Sequence, residues 1–514
     1  MDWTAGYASD VEYTAGFYRE QSPAALNFAC VLNGIEPVDT SRTFTYFELG
    51  FGRGLTANIL AAAHANGRFW AADFNPAHVA GARQLASDAG LSNLTLLENS
   101  FEDLAEGRVE GLPQFDFITL HGIYTWVTAE NRRHIVHFVS RYLKPGGLVY
   151  MSYNAMPGWS VSLPLQRLIV EHADLYPNRS DAQIKAAAAF IDKLDEAKAA
   201  YFVTNPQLRG RIDTLKNGNA NYLVHEYMHR HWQPMYFADV ARDMGDAKLE
   251  YVGSAEPSGN FTGLFVSSEK LELVNSTQNP VFAETVKDYF LNTSFRKDVF
   301  VRGARKMSPV KQVEWLSMTG LVLIVPREEA TLQLKLPQGQ VGAKPEMYTP
   351  VLDALATGPK TLPQLGALPG LEETNMFGVA QIAALLVSSG QAAIFIGNTD
   401  KASAASALQM NRALANKARF GDEYQALVAP LLGSGVTANF LERLVYQALT
   451  QKIDKDDTEA LARFAWQALA AQGRRMIRDG AALPTPEENI AEIRQRIGDI
   501  VRQRLPIWRN LGAV

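Results

Sequence analysis

Residues 44–54 carry a run of strand-forming side chains straight into a glycine-rich turn, Glu48-Leu-Gly-Phe-Gly-Arg-Gly54, and a helical pattern begins at Leu55. Few folds need such a junction. Glycines at alternate positions let the backbone turn sharply and let a ligand approach the main chain with no Cβ in the way. The following helix offers its free N–H groups to whatever lies above the turn. The junction predicts the first βα unit of a doubly wound α/β sheet, with a ligand beyond the carboxyl ends of its strands.

The rest of the first 155 residues agrees. Phe69–Asp73, Leu94–Glu98, Phe115–Leu120 and Leu148–Tyr153 read as further strands after Phe44–Leu49. Leu55–His64, Pro76–Ala89 and Asn131–Leu143 read as the helices between them, and Pro23–Leu32 as an extra helix ahead. Strands spaced by helices build a mostly parallel, Rossmann-like sheet. From about 158 to 221 the pattern is helical around the alanine-rich Ala182–Ala200, which predicts an inserted cap. Met235–Met244 reads as a helix, and Leu249–Ala255 and Phe261–Ser267 as the last two strands, joined by a turn at Pro257–Gly259. The sheet domain is then expected to span 1–270.

At 514 residues the chain is too long for one core, and the remainder reads as separate, mainly helical modules. Residues 271–345 form a middle region, with a helix over Val281–Lys306 and a strand pair from Leu321–Val325 and Ala330–Leu336. Residues 346–400 look winged-helix-like: Tyr348–Thr357, Leu362–Ala367 and Met376–Ser389 as helices, then Ala392–Ile396 as a strand. Residues 401–514 are read as a helical C-terminal domain.

Charge narrows the function classes. The net charge is −5 and no Lys/Arg run occurs, which argues against a nucleic-acid binder. Cys30 is the single cysteine, as suits a reducing compartment. The N-terminus lacks the basic and apolar regions of a secretory signal. The longest apolar runs, Ile382–Val387 and Leu321–Val325, are far short of the ~20 residues of a membrane helix, so a cytoplasmic protein without membrane insertion is expected.

The ligand follows from the turn and its neighbours. Dinucleotide sheets use G-x-G-x-x-G, whereas Leu55 stands at the sixth position here. Glu48, two residues before the first glycine, suits a ligand with a cationic end, such as the amino-acid part of S-adenosylmethionine (SAM). Asp73 ends the second strand, where a carboxylate accepts from ribose hydroxyls. Phe74 beside it can pack on adenine, and the third strand's exit, Glu98 to Asp103, supplies a rim through Ser100 and Phe101. The cofactor set is thus Glu48, Gly50, Gly52, Gly54, Asp73, Phe74, Ser100, Phe101 and, at the fourth strand's end, His121.

These residues resemble bacterial class I SAM-dependent methyltransferases that carry a methyltransferase regulatory domain, a group including the rickettsial-type protein-lysine methyltransferases. The resemblance extends through Phe115-Asp-Phe-Ile-Thr-Leu-His121-Gly-Ile-Tyr124-Thr-Trp126, Leu143-Lys-Pro-Gly-Gly147 and Tyr153-Asn154-Ala-Met-Pro157-Gly-Trp159. It continues in Asn221-Tyr-Leu-Val-His225-Glu226-Tyr-Met228, Met235-Tyr-Phe-Ala-Asp239 and Asp288 to Arg296, and includes Asp10-Val-Glu-Tyr13. It is good over 7–303 and thinner afterwards. It implies methyl transfer from SAM, leaving S-adenosylhomocysteine, in an open multidomain cavity. Ser100 departs from the family's acid at the strand-three exit.

Methyl transfer at a sulfonium is mostly positioning and desolvation, and no metal is expected. A lysine acceptor would also need to lose a proton. His121, Tyr124, Tyr153 and Asn154 are the catalytic candidates. Tyr13, Tyr18, Trp126 and Glu226 are candidate walls for substrate. His225-Glu226-Tyr-Met-His229 spells H-E-x-x-H, but Pro234 cuts its helix short and the family does not use it for metal. Arg296, Lys297, Arg302 and Lys306 read as a solvated basic helix face. Three functions stay open: a methyltransferase on a protein side chain, one on a small molecule, and a SAM-binding scaffold. A homodimer is compatible with each.

Overall fold

The computed structural model describes residue 10 and residues 15–514. Its first half is organised around a seven-stranded sheet of order β3-β2-β1-β4-β5-β7-β6. Helix α1 (Pro23–Leu32) precedes β1 (Phe44–Leu49), α2 (Leu55–Ala63), β2 (Gly67–Asp73), α3 (Pro76–Asp88), β3 (Leu94–Glu98), α4 (Phe101–Glu106), β4 (Phe115–Leu120), α5 (Ala129–Tyr142) and β5 (Leu143–Asn154). β1 to β5 pair in parallel.

Local chemistry sets these boundaries. Ser22, Asn75 and Thr128 each accept a backbone N–H at the start of α1, α3 and α5, and proline stands just inside the first two. Side chains alternate across each strand. Phe44 and Tyr46 face α1, packing with Leu26, Ala29 and Cys30, while Phe47 and Leu49 face α5 with Phe138 and Val139. Both faces are covered, which is why the strands read as near-continuous apolar runs.

The cap follows β5 as α6 (Leu163–Leu175), α7 (Ser180–Glu196), α8 (Ala200–Thr204), α9 (Arg209–Asn217) and α10 (Ala220–Tyr227). It has its own core of Trp159, Ile169, Ile184, Ile191, Ile212 and Val224. The chain returns through α11 (Phe237–Asp246) to β6 (Leu249–Ser254), then α12 (Ser268–Asn275), α13 (Pro280–Leu291) and β7 (Phe295–Arg302). Here the expectation is corrected. Residues 261–267 form a short 3-10 turn at Thr262–Leu264, and the last strand is β7, antiparallel to both β5 and β6. The helix expected over 281–306 stops at Leu291, where Asn292 adopts a left-handed cap. The sheet therefore ends at 302 rather than 270. The basic face is corrected too, because Arg296 is buried on β7 against Asp288, Asp298 and Glu284.

Beyond the sheet lie α14 (Pro309–Met318), β8 (Thr319–Leu323), β9 (Gln333–Leu336), β10 (Gly339–Gly342), α15 (Pro345–Ala356), β11 (Lys360–Thr361), α16 (Leu362–Gly366), α17 (Met376–Ser388) and β12 (Ala392–Ile396). Here three helices pack against the three-stranded sheet β11-β8-β12. The expected pairing of 321–325 with 330–336 does not form: β9 pairs with β10, and β8 with β11 and β12. α17 buries Val379, Ala380 and Ile382 to Val387, so it serves as the core of this module.

The C-terminal domain comprises α18 (Lys401–Lys417), the hairpin β13 (Ala426–Ala429) and β14 (Ser434–Thr437), then α19 (Phe440–Thr450), α20 (Thr458–Ala471), α21 (Pro486–Asp499) and α22 (Leu505–Asn510), with Trp508 fully buried. It packs on the helix behind the glycine turn. Ala407, Met410 and Leu414 of α18 join Leu55, Ile59 and Ala62 of α2 in one cluster. His64 Nε2 lies 2.9 Å from the Gly433 carbonyl. No helix among the described residues is long and apolar enough to cross a membrane.

Candidate methyl-transfer site

The order of the sheet reverses between β1 and β4, and a cavity of about 380 Å³ opens beyond the strand ends there. Glu48, Gly50, Gly52, Asp73, Phe74, Ser100, Phe101, His121, Tyr153, Asn154, Tyr18, Trp126 and Glu226 all line it. Segments far apart in sequence thus meet in one space, from the glycine turn to the cap.

The turn is held from below. The Gly50 N–H donates to the Ala72 carbonyl at 2.8 Å, and the Gly52 N–H donates to Asp73 Oδ2 at 2.9 Å. Gly50 has φ +68°, a left-handed backbone that favours glycine, and a Cβ there would stand 2.5 Å from Ile123 Cδ1. Gly54 has a different role from the one expected. It lies off the cavity, and its bare Cα lets α2 approach Ala82 of α3, where a Cβ would come within 2.5 Å.

Glu48 is 3% exposed. Its Oε1 accepts from Gln21 Nε2 at 3.2 Å, whereas Oε2 is buried with no partner among the described residues. Burial pushes this carboxyl up to about 8. A buried acceptor oxygen beside a glycine turn and a helix N-terminus is complementary to a cationic ligand group. Asp73 is fixed by the N–H groups of Gly52 and Asn75 and by His78 Nδ1 at 3.2 Å, which orients its carboxylate toward the cavity rim. Ser100 lines the cavity, but its hydroxyl caps α4, bonding the Asp103 N–H and carboxylate. These features fit the amino end, ribose and adenine of SAM.

The other end is built from side chains. His121 Nδ1 lies 2.8 Å from the Tyr150 hydroxyl, and Tyr18 stacks on the imidazole at 3.7 Å. Burial pulls His121 down to about 4, so the ring is neutral near pH 7. Tyr153 turns its hydroxyl away, donating to Asp298 Oδ2 at 2.6 Å beneath Arg296. Burial, with Asp298 beside it, drives its pKa far above the usual tyrosine range. Its ring is a wall and its oxygen is occupied. Asn154 contrasts with it: its backbone carbonyl accepts from the Met235 N–H, while the buried side-chain Nδ2 has no partner among the described residues.

Tyr124 is overturned as a cavity residue. It is fully buried, its hydroxyl donates to Asp243 at 2.7 Å, and it lies outside the lining. Tyr13 falls outside the described residues. The structure adds lining residues that spacing did not single out, among them Ile123, Asn131, Tyr222 and Phe295. Phe295 was hidden by the misplaced strand, since β7 sets it opposite Asn154. The H-E-x-x-H segment does not continue as one helix: α10 ends at Tyr227, and His229 lies beyond its cap. Among the described residues no group of three or more His, Cys, Asp or Glu is arranged to hold a metal ion.

Comparison with known proteins points to methyltransferases. Residues 47–147 match the "Methyltransferase domain" family model, and residues 219–302 match the "Predicted methyltransferase regulatory domain". An uncharacterized protein of Synechocystis sp. is 36% identical over 513 residues, covering 100% of both chains. An uncharacterized protein of Rickettsia prowazekii is 23% identical over 302 residues, 58% of this chain and 53% of that one. PKMT2 from Rickettsia typhi, solved in complex with AdoHcy, has the same fold over 98% of this chain and 99% of its own, with a TM-score of 0.70 at 17% identity. The chain belongs to the SAM-dependent methyltransferases that join a methyltransferase domain to a methyltransferase regulatory domain.

Proposed function

We propose that the enzyme transfers the methyl group of SAM to a side chain of a protein, with lysine as the leading acceptor. The observation that carries this reading is the continuous cavity running from Glu48 Oε2, unpartnered among the described residues, to Asn154, Trp126 and Glu226 of the cap. Glu48 and the N–H groups of the glycine turn hold the amino-acid end of SAM, Asp73 its ribose, and Phe74, Ser100 and Phe101 its adenine. Bound there, SAM supplies an electrophilic methyl group on sulfur.

The chain's own residues then orient and shield. Tyr18 and His121 form an aromatic wall, and the neutral imidazole adds no charge to repel a sulfonium. Tyr153 gives a rigid apolar surface because Asp298 fixes its hydroxyl. Asn154 offers its free amide to the acceptor. Trp126 suits an aliphatic stem or a cation. A protein acceptor is supported by the fold shared with PKMT2 across the cap and C-terminal modules.

Incubating the protein with methyl-labelled SAM and a cell lysate, then separating protein from small molecules, tests the reading. Label is expected in lysine side chains of the protein fraction. Label confined to small molecules would overturn the protein acceptor.

A further inference from the structure

Two carboxylates in the cavity lack an ion-pair partner among the described residues, Glu48 at the glycine turn and Glu226 under the cap. Buried carboxylates are normally matched by a cation, and where the protein supplies none the ligand is the natural source. SAM accounts for Glu48 with its amino group. Glu226, partly buried, stands at the other end, on the cap, and is complementary to a second cation.

Its surroundings agree. Glu226 lies in the last turn of α10, where the helix's terminal carbonyls favour positive charge. Arg211 draws its pKa down but makes no ion pair with it, because the guanidinium is held over the Trp159 ring at 3.5 Å and near the Tyr227 hydroxyl. His225 and His229 flank it on its own segment, with Tyr222 one turn back and the Trp126 ring tilted against His229 at 5.2 Å. These give aromatic walls with one carboxylate among them.

The other catalytic candidates are poor destinations for the proton. The Tyr153 hydroxyl is bonded to Asp298, Tyr124 lies outside the cavity, and His121 is too weak a base. Burial lifts Glu226 to about 7, a value suited to taking a proton near neutrality.

We propose that Glu226 receives the cationic amine of the acceptor and takes its proton, making the cap end of the cavity selective for amines on an apolar stem. This rests on reading the cavity as a methyl-transfer site. The ammonium gives one proton to the carboxylate, which becomes the neutral acid. The freed nitrogen lone pair forms the N–C bond to the methyl carbon as the S–C bond breaks and its electron pair stays on sulfur, leaving a neutral thioether. The methylated nitrogen carries the positive charge away, and the Glu226 proton is lost to solvent.

Calorimetry on the full chain saturated with S-adenosylhomocysteine tests the assignment, using Nα-acetyl-lysine amide and its uncharged counterpart Nα-acetyl-norleucine amide as probes. The lysine amide is expected to bind at least about tenfold more tightly than the norleucine amide. Its affinity should rise about tenfold between pH 6 and pH 8, because the carboxylate that binds an ammonium forms as pH passes about 7. Glu226→Gln should remove both the preference and the pH dependence while S-adenosylhomocysteine affinity stays unchanged, which also reports an intact fold. Glu226→Asp should restore the pH dependence in part. Equal binding of the two probes, or a Glu226→Gln protein that keeps the preference, overturns the assignment. Failure of the wild-type protein to bind S-adenosylhomocysteine would instead overturn the cofactor reading, and this assignment with it.

Discussion

The two ends of the cavity are built by different means. At the cofactor end, one eleven-residue stretch, 44–54, supplies strand, turn and helix start, and its contacts are largely main-chain: Gly50 to Ala72 and Gly52 to Asp73. At the acceptor end no two consecutive segments suffice. Tyr18 comes from the N-terminal segment, Trp126 from beyond β4, Asn154 from β5, Glu226 from the cap and Phe295 from β7. A ligand shared by many enzymes can be held by a compact backbone motif, whereas acceptor choice needs side chains that vary independently.

That contrast can be broken most forcefully at the glycine turn. Gly50→Val places a side chain on a left-handed backbone against Ile123, so S-adenosylhomocysteine affinity should fall by about 100-fold or more in calorimetry. Circular dichroism should stay unchanged if the lesion is local. At the other end, Asn154→Ala should lower turnover by about 10- to 100-fold with S-adenosylhomocysteine affinity kept within about threefold. Loss of cofactor affinity in that variant would mean the two ends are not separable.

Acidity sharpens the division. The Glu48 carboxyl of the ligand-free fold sits near 8, above its unfolded value, because burial disfavours its charge. Its contribution to stability is therefore fully present below the unfolded carboxyl pKa and is lost as pH rises through about 8. A bound ammonium wants the ionised form, so cofactor affinity should climb about tenfold per pH unit below that value and level off above it. Glu48→Gln should flatten the profile, measured between pH 6 and pH 9.

Smaller effects test whether wall residues are structural. Tyr153→Phe removes the hydrogen bond to Asp298 and should cost about 1–2 kcal/mol in denaturant unfolding, with residual methyl transfer. Abolished transfer at unchanged stability would make the hydroxyl a reacting group. Ser100→Ala should cost about 1 kcal/mol through loss of the α4 cap, with little change in cofactor affinity. A large affinity loss would show that its hydroxyl leaves the cap for the ligand.

How much of this was legible depends on how local each feature is. α1, β1, β3, β4 and β12 fall on the predicted residues, because patterning, caps and prolines mark their ends. The seventh strand was not legible. Residues 261–267 alternate like a strand yet curl into a 3-10 turn, whereas 295–302, with Arg296 and Asp298 at its centre, looked too charged to be buried. Those charges cancel through Asp288 and Glu284, partners that sequence spacing does not reveal. Tyr124 and Tyr153 looked alike as aromatic residues at strand exits. Only the fold distinguishes them, by sending one hydroxyl to Asp243 outside the cavity and leaving the other's ring inside it.

The sequence by itself determined the sheet class, the glycine turn and the acid pair Glu48 and Asp73, because each follows from backbone geometry and from residues a few positions apart. The tertiary structure alone decided which side chains share the cavity and which polar atoms there are already satisfied. Burial and partner geometry are properties of the packed chain. Among the described residues they leave Glu48 Oε2 and Asn154 Nδ2 without partners at opposite ends of one space, and Glu226 without an ion pair.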